Sequence, residues 1–525
     1  MNTLFATAPA SSWRRFYFIS LLLTLVFRGW LGAVLPFTGD EAYFIWWGQW
    51  PDWGFYDHPP IVGWMLALLL QFSHAEWWLR LPAILQPAIL AWMTAAFLRP
   101  RGDTVAWGAA LLVLLAPGNV WNVLITTDTP LVYFSVLSGF GWLLARRAEA
   151  AGQSPWRWYL LAGFGLLGAV MSKYFAALLG FAYLVDTVVR PGKRKFGGLL
   201  LVYAMTLPGL ALMAWWNAGH CWPNIMFNFY NRSHKGNTGL SWKTPLEYAA
   251  ILLYLLTPPC LWYLQRKSAA IREYFQAPEG RALILLGFVP LALFVPLSLV
   301  RGIGLHWVLS FVPFVLILLV LCVDQAQLHK IWRFFAGFAI LHVIVVVAIA
   351  YTPMERWQNT KYYPGIVLTV KPQLLLDQLA PYADHTWMMD GYSNAVTLGV
   401  NTYVRDPDGK PRYIGVFGVG SSHARHDDIL TDLRALDGGK IAVLRKTPPD
   451  LDRDYRPYFR QVELKTFELA DATFYLVLGE GFNYPQYRDV ILADIKQQYY
   501  AVPPALPQTA CYFCDRYFPG QPCQR

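Results

Sequence analysis

The chain has 525 residues, of which 56% are hydrophobic, 16% aromatic and only 14% charged, and its mean hydropathy is +0.33. A soluble domain carries about 25% charged residues, so an ordinary soluble enzyme is excluded and a membrane protein is expected. The net charge of +10 does not point to nucleic acid, because the Lys and Arg residues stand mostly in short connections between apolar runs, where they report topology.

Arg14 and Arg15 precede an apolar run over 16–36 that imitates a signal peptide. The many later runs, and the lack of a persuasive small-x-small cleavage site, predict an uncleaved first helix. Residues 38–60 follow, with Asp40, Glu41, Asp52 and Asp57 set among Trp and Tyr, and no Lys or Arg between Arg28 and Arg80. Thr38-Gly39-Asp40-Glu41 fits a capping box, which accounts for Glu41 but does not need Asp40. Tyr43, Trp46, Trp47 and Trp50 recur at helical spacing, which predicts a helix lying in the headgroup layer. The run 61–72 is too short to span and reads as a second interfacial or re-entrant helix. Asp57-His58-Pro59-Pro60 is either a turn or a group binding a hydroxyl, phosphate or metal. One Asp-His pair falls short of the three or four ligands of a usual metal site. Ser73-His74-Ala75-Glu76 reads as another capping box.

Apolar runs near 16–36, 77–98, 104–117, 129–145, 156–172, 175–190, 197–216, 245–264, 281–299, 304–322 and 332–351 predict about eleven spans, with ten to thirteen consistent with their lengths. Basic residues fill alternate connections, from Arg99 and Arg101 to Lys330 and Arg333. This places the N-terminus in the cytoplasm and the C-terminus outside. Thr126-Thr127-Asp128-Thr129-Pro130 is a helix start, with Thr129 as N-cap and Pro130 at the first position, and that account leaves Asp128 free for another role. Lys173 interrupts the apolar sequence 156–190 at an outer turn, against the topology bias, so it is expected to be functional or matched to a carboxylate. The outer loop 217–244, with Asn217, His220, Arg232, His234, Lys235 and Lys243, is either solvated or ligand-binding. Arg301 with His306 and Trp307 adds a cationic cluster. Carboxylates and cations gathered on the outer side suit an anionic lipid ligand: one acid to deprotonate a hydroxyl, the cations to stabilise a departing phosphate.

After Tyr351 the composition becomes that of a soluble domain. A buried strand is predicted over 440–445, a hairpin over 462–469 and 473–478, and a short helix over 427–436. Cys260 and Cys322 lie in spans, whereas Cys221, Cys511, Cys514 and Cys523 face outward and allow three pairings; Cys511 and Cys514 are expected to be oxidised.

Asp40-Glu41-Ala42-Tyr43, Tyr56-Asp57-His58-Pro59-Pro60, Thr127-Asp128-Thr129-Pro130, Ser172-Lys173-Tyr174, Trp216-Asn217 and His306-Trp307 occur in an order that resembles the GT-C fold, polyprenyl-phosphate-sugar-dependent glycosyltransferases. The similarity is to the bacterial relatives of dolichyl-phosphate-mannose protein mannosyltransferases and to lipid A aminoarabinose transferases. It implies a polytopic α-helical domain over 1–351 with a catalytic outer loop at 37–76, and a small extracytoplasmic α/β domain over 352–525. The expected activity is inverting transfer of one sugar from a polyprenyl-phosphate donor to a lipid or glycan acceptor, with protein as the lesser option, at the outer face of the bacterial inner membrane. Asp40, with Glu41, would serve catalysis. Asp57, His58, Lys173, Tyr174, Arg232, Arg301 and His306 would serve the donor phosphate, and Asp128, Trp307 and Asn217 the acceptor or the site's support. Aminoarabinose transferases carry a Glu-Lys pair where this chain has Asp57-His58, so the neutralising cations are sought in Lys173, Arg232 and Arg301. A sugar phosphoester is already activated, so no nucleotide is needed and no glycine-rich phosphate loop is present; a divalent metal is left open. A lipid-linked-glycan transporter would instead show internal repeats and interrupted midplane helices. In a noncatalytic envelope assembly protein the acidic loop would only cap helices.

Overall fold

The computed structural model describes residues 10–231, 240–404, 412–420, 425–507, 510–521 and 523. The chain divides into two compact units: Met1–Leu35, Ser73–Ala211 and Thr238–Tyr351 form one, and Pro36–Phe72, Leu212–Asn237 and Thr352–Arg525 the other.

The first unit is helical. Among the described residues, five helices of the chain are long and apolar enough to cross a membrane: Ser12–Val34, Leu81–Arg101, Lys193–Gly219, Pro278–Ser298 and Gln325–Ala350. Asp128–Ala150 and Trp156–Val170 pack closely because small residues line their contact. A Cβ at Gly141 would meet the Ala162 backbone at 2.6 Å, and one at Gly165 the Ser138 backbone at 2.6 Å. The run expected over 245–264 is two helices, Lys243–Leu256 and Pro258–Arg266. Pro258 disfavours helical backbone at the preceding residue, and Thr257 stands at φ 63.

Two buried arginines fasten the C-terminal end of the first helix. Arg28 donates to the carbonyls of Ala83, Ile84, Asn119 and Asn122, and Arg80 to those of Gly32 and Leu35. Two expected helix starts differ. Asp128–Ala150 begins two residues earlier, after Thr127, because Thr126 Oγ1 accepts from Asp128 N and Thr129 Oγ1 accepts from Thr126 N. The helix Glu76–Leu79 has Ala75 as N-cap, since Ser73 Oγ accepts from Ala75 N.

The second unit is built on a five-stranded sheet in the order β2-β1-β3-β5-β4, where β1 is Thr386–Met389, β2 Gly415–Val416, β3 Lys440–Arg445, β4 Phe459–Leu469 and β5 Ala472–Phe482. β1 pairs in parallel with β2 and β3, β5 antiparallel with β3 and β4. Alternation sends Met388, Ile441, Val443 and Val477 to one buried layer and Trp387, Met389, Ala442, Leu444 and Leu476 to the other. The strand at 440–445 and the hairpin match the sequence reading. The helix expected over 427–436 breaks into Asp427–Leu430 and a turn at Leu433–Leu436. Its ladder is interrupted because the Thr431 carbonyl accepts from Arg516 and Tyr517.

The loop after the first helix folds with this unit. The helices Gly39–Gln49 and Ile61–Leu70 pair with each other, and Gly39–Gln49 also packs along Tyr392–Val400. The Trp face expected in the headgroup layer is instead internal: Trp47 stacks on Phe55 at 4.2 Å, and Trp46 lies so close to Gly399 that a Cβ there would meet its ring at 2.5 Å. Disulfides join Cys221 to Cys511 and Cys514 to Cys523, so Cys511 and Cys514 are both oxidised but not to each other; Cys260 and Cys322 are free and buried.

Candidate active site

The capping box at residues 38–41 forms as its spacing requires. Thr38 Oγ1 accepts from Glu41 N at 3.4 Å, and Glu41 Oε2 accepts from Thr38 N at 3.1 Å. Glu41 is thereby fully buried and committed to holding the turn, while its neighbour Asp40 is exposed at the start of the helix. One helical turn on, Tyr43 donates its hydroxyl to Asp57 Oδ1 at 3.3 Å, and His58 Nε2 is 4.0 Å from Asp57 Oδ2. Burial, followed by the Asp57 charge, drives the Tyr43 phenol well above its ordinary pKa. The Tyr392 ring meets Tyr43 edge-on at 5.4 Å.

The 55–58 backbone is held from below. Asn217 Oδ1 accepts from Asn224 N at 3.0 Å, and Asn224 Nδ2 donates to the Phe55 and Tyr56 carbonyls at 2.6 and 3.0 Å. Trp216 Nε1 donates to Asp52 Oδ2 at 3.0 Å. Asn217 therefore supports the acidic segment through Asn224, a residue that sequence reasoning missed because an Asn in an aromatic helix carries no signal of its own.

The first unit holds a second polar cluster. Lys173 Nζ stands 2.9 Å from both oxygens of Asp128, with both side chains buried. His306 Nε2 is 3.9 Å from Asp128 Oδ2. The Arg301 guanidinium lies 5.4 Å over the Trp307 ring, which packs at 4.4 Å on Phe175. Tyr174 opens the short turn Tyr174–Ala176 directly after Lys173. The cation expected against the topology bias is thus matched to a carboxylate. Asp128, Lys173, His306, Arg301 and Trp307 come together from separate stretches of sequence, and Arg232 lies outside the described residues.

Residues 57–216 match the family described as dolichyl-phosphate-mannose-protein mannosyltransferase. Lipid A galacturonosyltransferase RgtD of Rhizobium johnstonii is 26% identical over 264 residues, covering 47% of this chain and 54% of that protein; the match spans about half the relative's length. ArnT of Cupriavidus metallidurans bound to undecaprenyl phosphate superimposes with a TM-score of 0.60 at 14% identity, over 87% of this chain and 97% of that one. Its apo state gives 0.56 at 15% identity over 90% and 98%. The chain therefore shares the GT-C fold seen in ArnT and carries, across residues 57–216, the sequence pattern of the dolichyl-phosphate-mannose-protein mannosyltransferase family.

Proposed function

We propose that the protein is an inverting glycosyltransferase that moves one sugar from a polyprenyl-phosphate donor to an envelope lipid or glycan at the outer face of the inner membrane. The observation that carries this reading is an exposed Asp40 presented by a capped helix start in a chain with the ArnT fold. ArnT binds undecaprenyl phosphate and RgtD acts on lipid A, which supports a polyprenyl carrier and a lipid A-like acceptor here. In this mechanism Asp40 takes the proton of an acceptor hydroxyl, whose oxygen bonds to the anomeric carbon as the carbon–oxygen bond to phosphate breaks. The polyprenyl phosphate departs with the electron pair. A positioned base contributes about 10²–10⁴-fold. Arg301, Arg232, His306 and Lys173 stabilise the leaving charge, with Lys173 oriented by Asp128. Glu41 acts by fixing the turn that carries Asp40.

Residues 1–351 make the transmembrane transferase domain in this reading, with loop 37–76 as its catalytic part. Residues 352–525 are extracytoplasmic and the N-terminus cytoplasmic. Oxidised Cys221, Cys511, Cys514 and Cys523 support that placement, because disulfides persist outside the cytosol. The test is mass spectrometry of envelope lipids and glycans from cells with the gene intact, deleted or carrying Asp40→Asn. A sugar adduct should vanish on deletion and stay absent with Asp40→Asn at normal protein levels; its persistence with Asp40→Asn refutes the base assignment.

A further inference from the structure

After β1 and the bend at Asp390-Gly391, the first residues of the helix Tyr392–Val400, Tyr392 and Ser393, run directly against the start of the helix bearing Asp40. A Cβ on Gly39 would collide with Ser393 Oγ, so the two segments are in contact at the residue preceding Asp40. Tyr392 is half-buried, edge-on to Tyr43 at 5.4 Å, and Tyr43 in turn donates to Asp57. Among the described residues the Tyr392 hydroxyl has no hydrogen-bond partner. Burial first, then the Asp40 and Asp57 charges, push its phenol up to about 12, so it remains a hydrogen-bond donor across the physiological range and stands in the field of both acids.

We propose that Tyr392, contributed by the tail sheet, binds the acceptor sugar, its hydroxyl and ring holding an acceptor hydroxyl against Asp40. The surroundings choose the ligand. Two carboxylates repel a phosphate, whereas carboxylate acceptors, a phenol donor and the half-buried Tyr392 ring suit a polyhydroxylated sugar ring. Asp57, expected beside the donor phosphate, then belongs on the acceptor side. This inference rests on the glycosyl-transfer reading above, and it gives the tail a direct part in choosing the acceptor.

The test uses the full-length protein in lipid vesicles, with polyprenyl-phosphate sugar from wild-type membranes as donor and the lipid extract of gene-deleted cells, which holds unmodified acceptor, varied in amount. Tyr392→Phe should raise the acceptor concentration for half-maximal transfer about tenfold, the loss of one hydrogen bond to a charged or reacting group, and leave the donor dependence unchanged. That concentration does not depend on how much protein is folded, so a merely destabilised variant would not move it. An unchanged acceptor dependence, or a shift in the donor's, overturns the proposal while leaving the Asp40 reading standing. Transfer by Asp40→Asn overturns the Asp40 reading, whatever Tyr392→Phe does.

Discussion

Removing one member of the Lys173–Asp128 pair should separate a structural role from a chemical one. Both side chains are buried, and Lys173 Nζ contacts both carboxylate oxygens at 2.9 Å. Lys173→Met strands a buried carboxylate, and Asp128→Asn a buried ammonium, each costing about 3–5 kcal/mol. In a chain of this size that lowers the melting midpoint by about 3–5 °C. The double variant leaves no orphaned charge, so its midpoint should return to within about 1 °C of wild type, and the coupling energy in the cycle should be large. Transfer behaves differently: with Lys173 gone, the double variant should still lose about 10²-fold, the scale for one preorganised donor to a developing anion. The assay pairs thermal unfolding in detergent with single-turnover transfer. Full activity in the refolded double variant would refute a role for Lys173 in the chemistry, and a midpoint that stays low would refute the pair accounting.

His426 and Asp427 make a pH prediction for the tail. Burial holds His426 down to about 3, so its contribution to stability is complete above the ordinary 6.5 and is lost as pH falls. Burial raises Asp427 to about 7, so its contribution is complete below 3.8 and is lost as pH rises toward 7. The two slopes cancel between about pH 4 and 6.5; in His426→Phe, melting midpoints should therefore rise on acidification from pH 7 to 4, by up to ~4 kcal/mol in stability. Gly39→Ala should cost about 1–3 kcal/mol by overpacking against Ser393, and Ser393→Ala should restore part of the lost midpoint in unfolding scans. Unfolding without reductant should expose only Cys260 and Cys322 to alkylation, read by mass spectrometry; labelled Cys221 or Cys511 would contradict the pairing.

What was legible in the sequence was local or periodic. The Thr38–Glu41 box depends on residues three apart, β3 on an unbroken apolar run, and the hairpin on two runs beside each other. The Lys173 expectation worked because a cation inside apolar sequence demands a partner, although periodicity does not say that the partner is Asp128. Features decided by distant chain were not readable. The Trp46 and Trp47 face looks interfacial until Gly399 and Phe55 are packed on it, and residues 427–436 look continuous until Arg516 and Tyr517 take the Thr431 carbonyl. Tyr392 gave no signal, since its position beside Asp40 arises from a parallel strand only four residues long.

The unit that carries Asp40 is assembled from three separated stretches, and its Cys221–Cys511 bond closes over 290 residues. Synthesis runs from the N-terminus, so the acidic loop emerges long before Tyr392 or Cys511 and must wait, half-made, for its last partners. On the function proposed above, catalytic competence is consequently a late event in the life of each molecule, and a transferase of lipid-linked sugars would stay silent until its own biogenesis is finished.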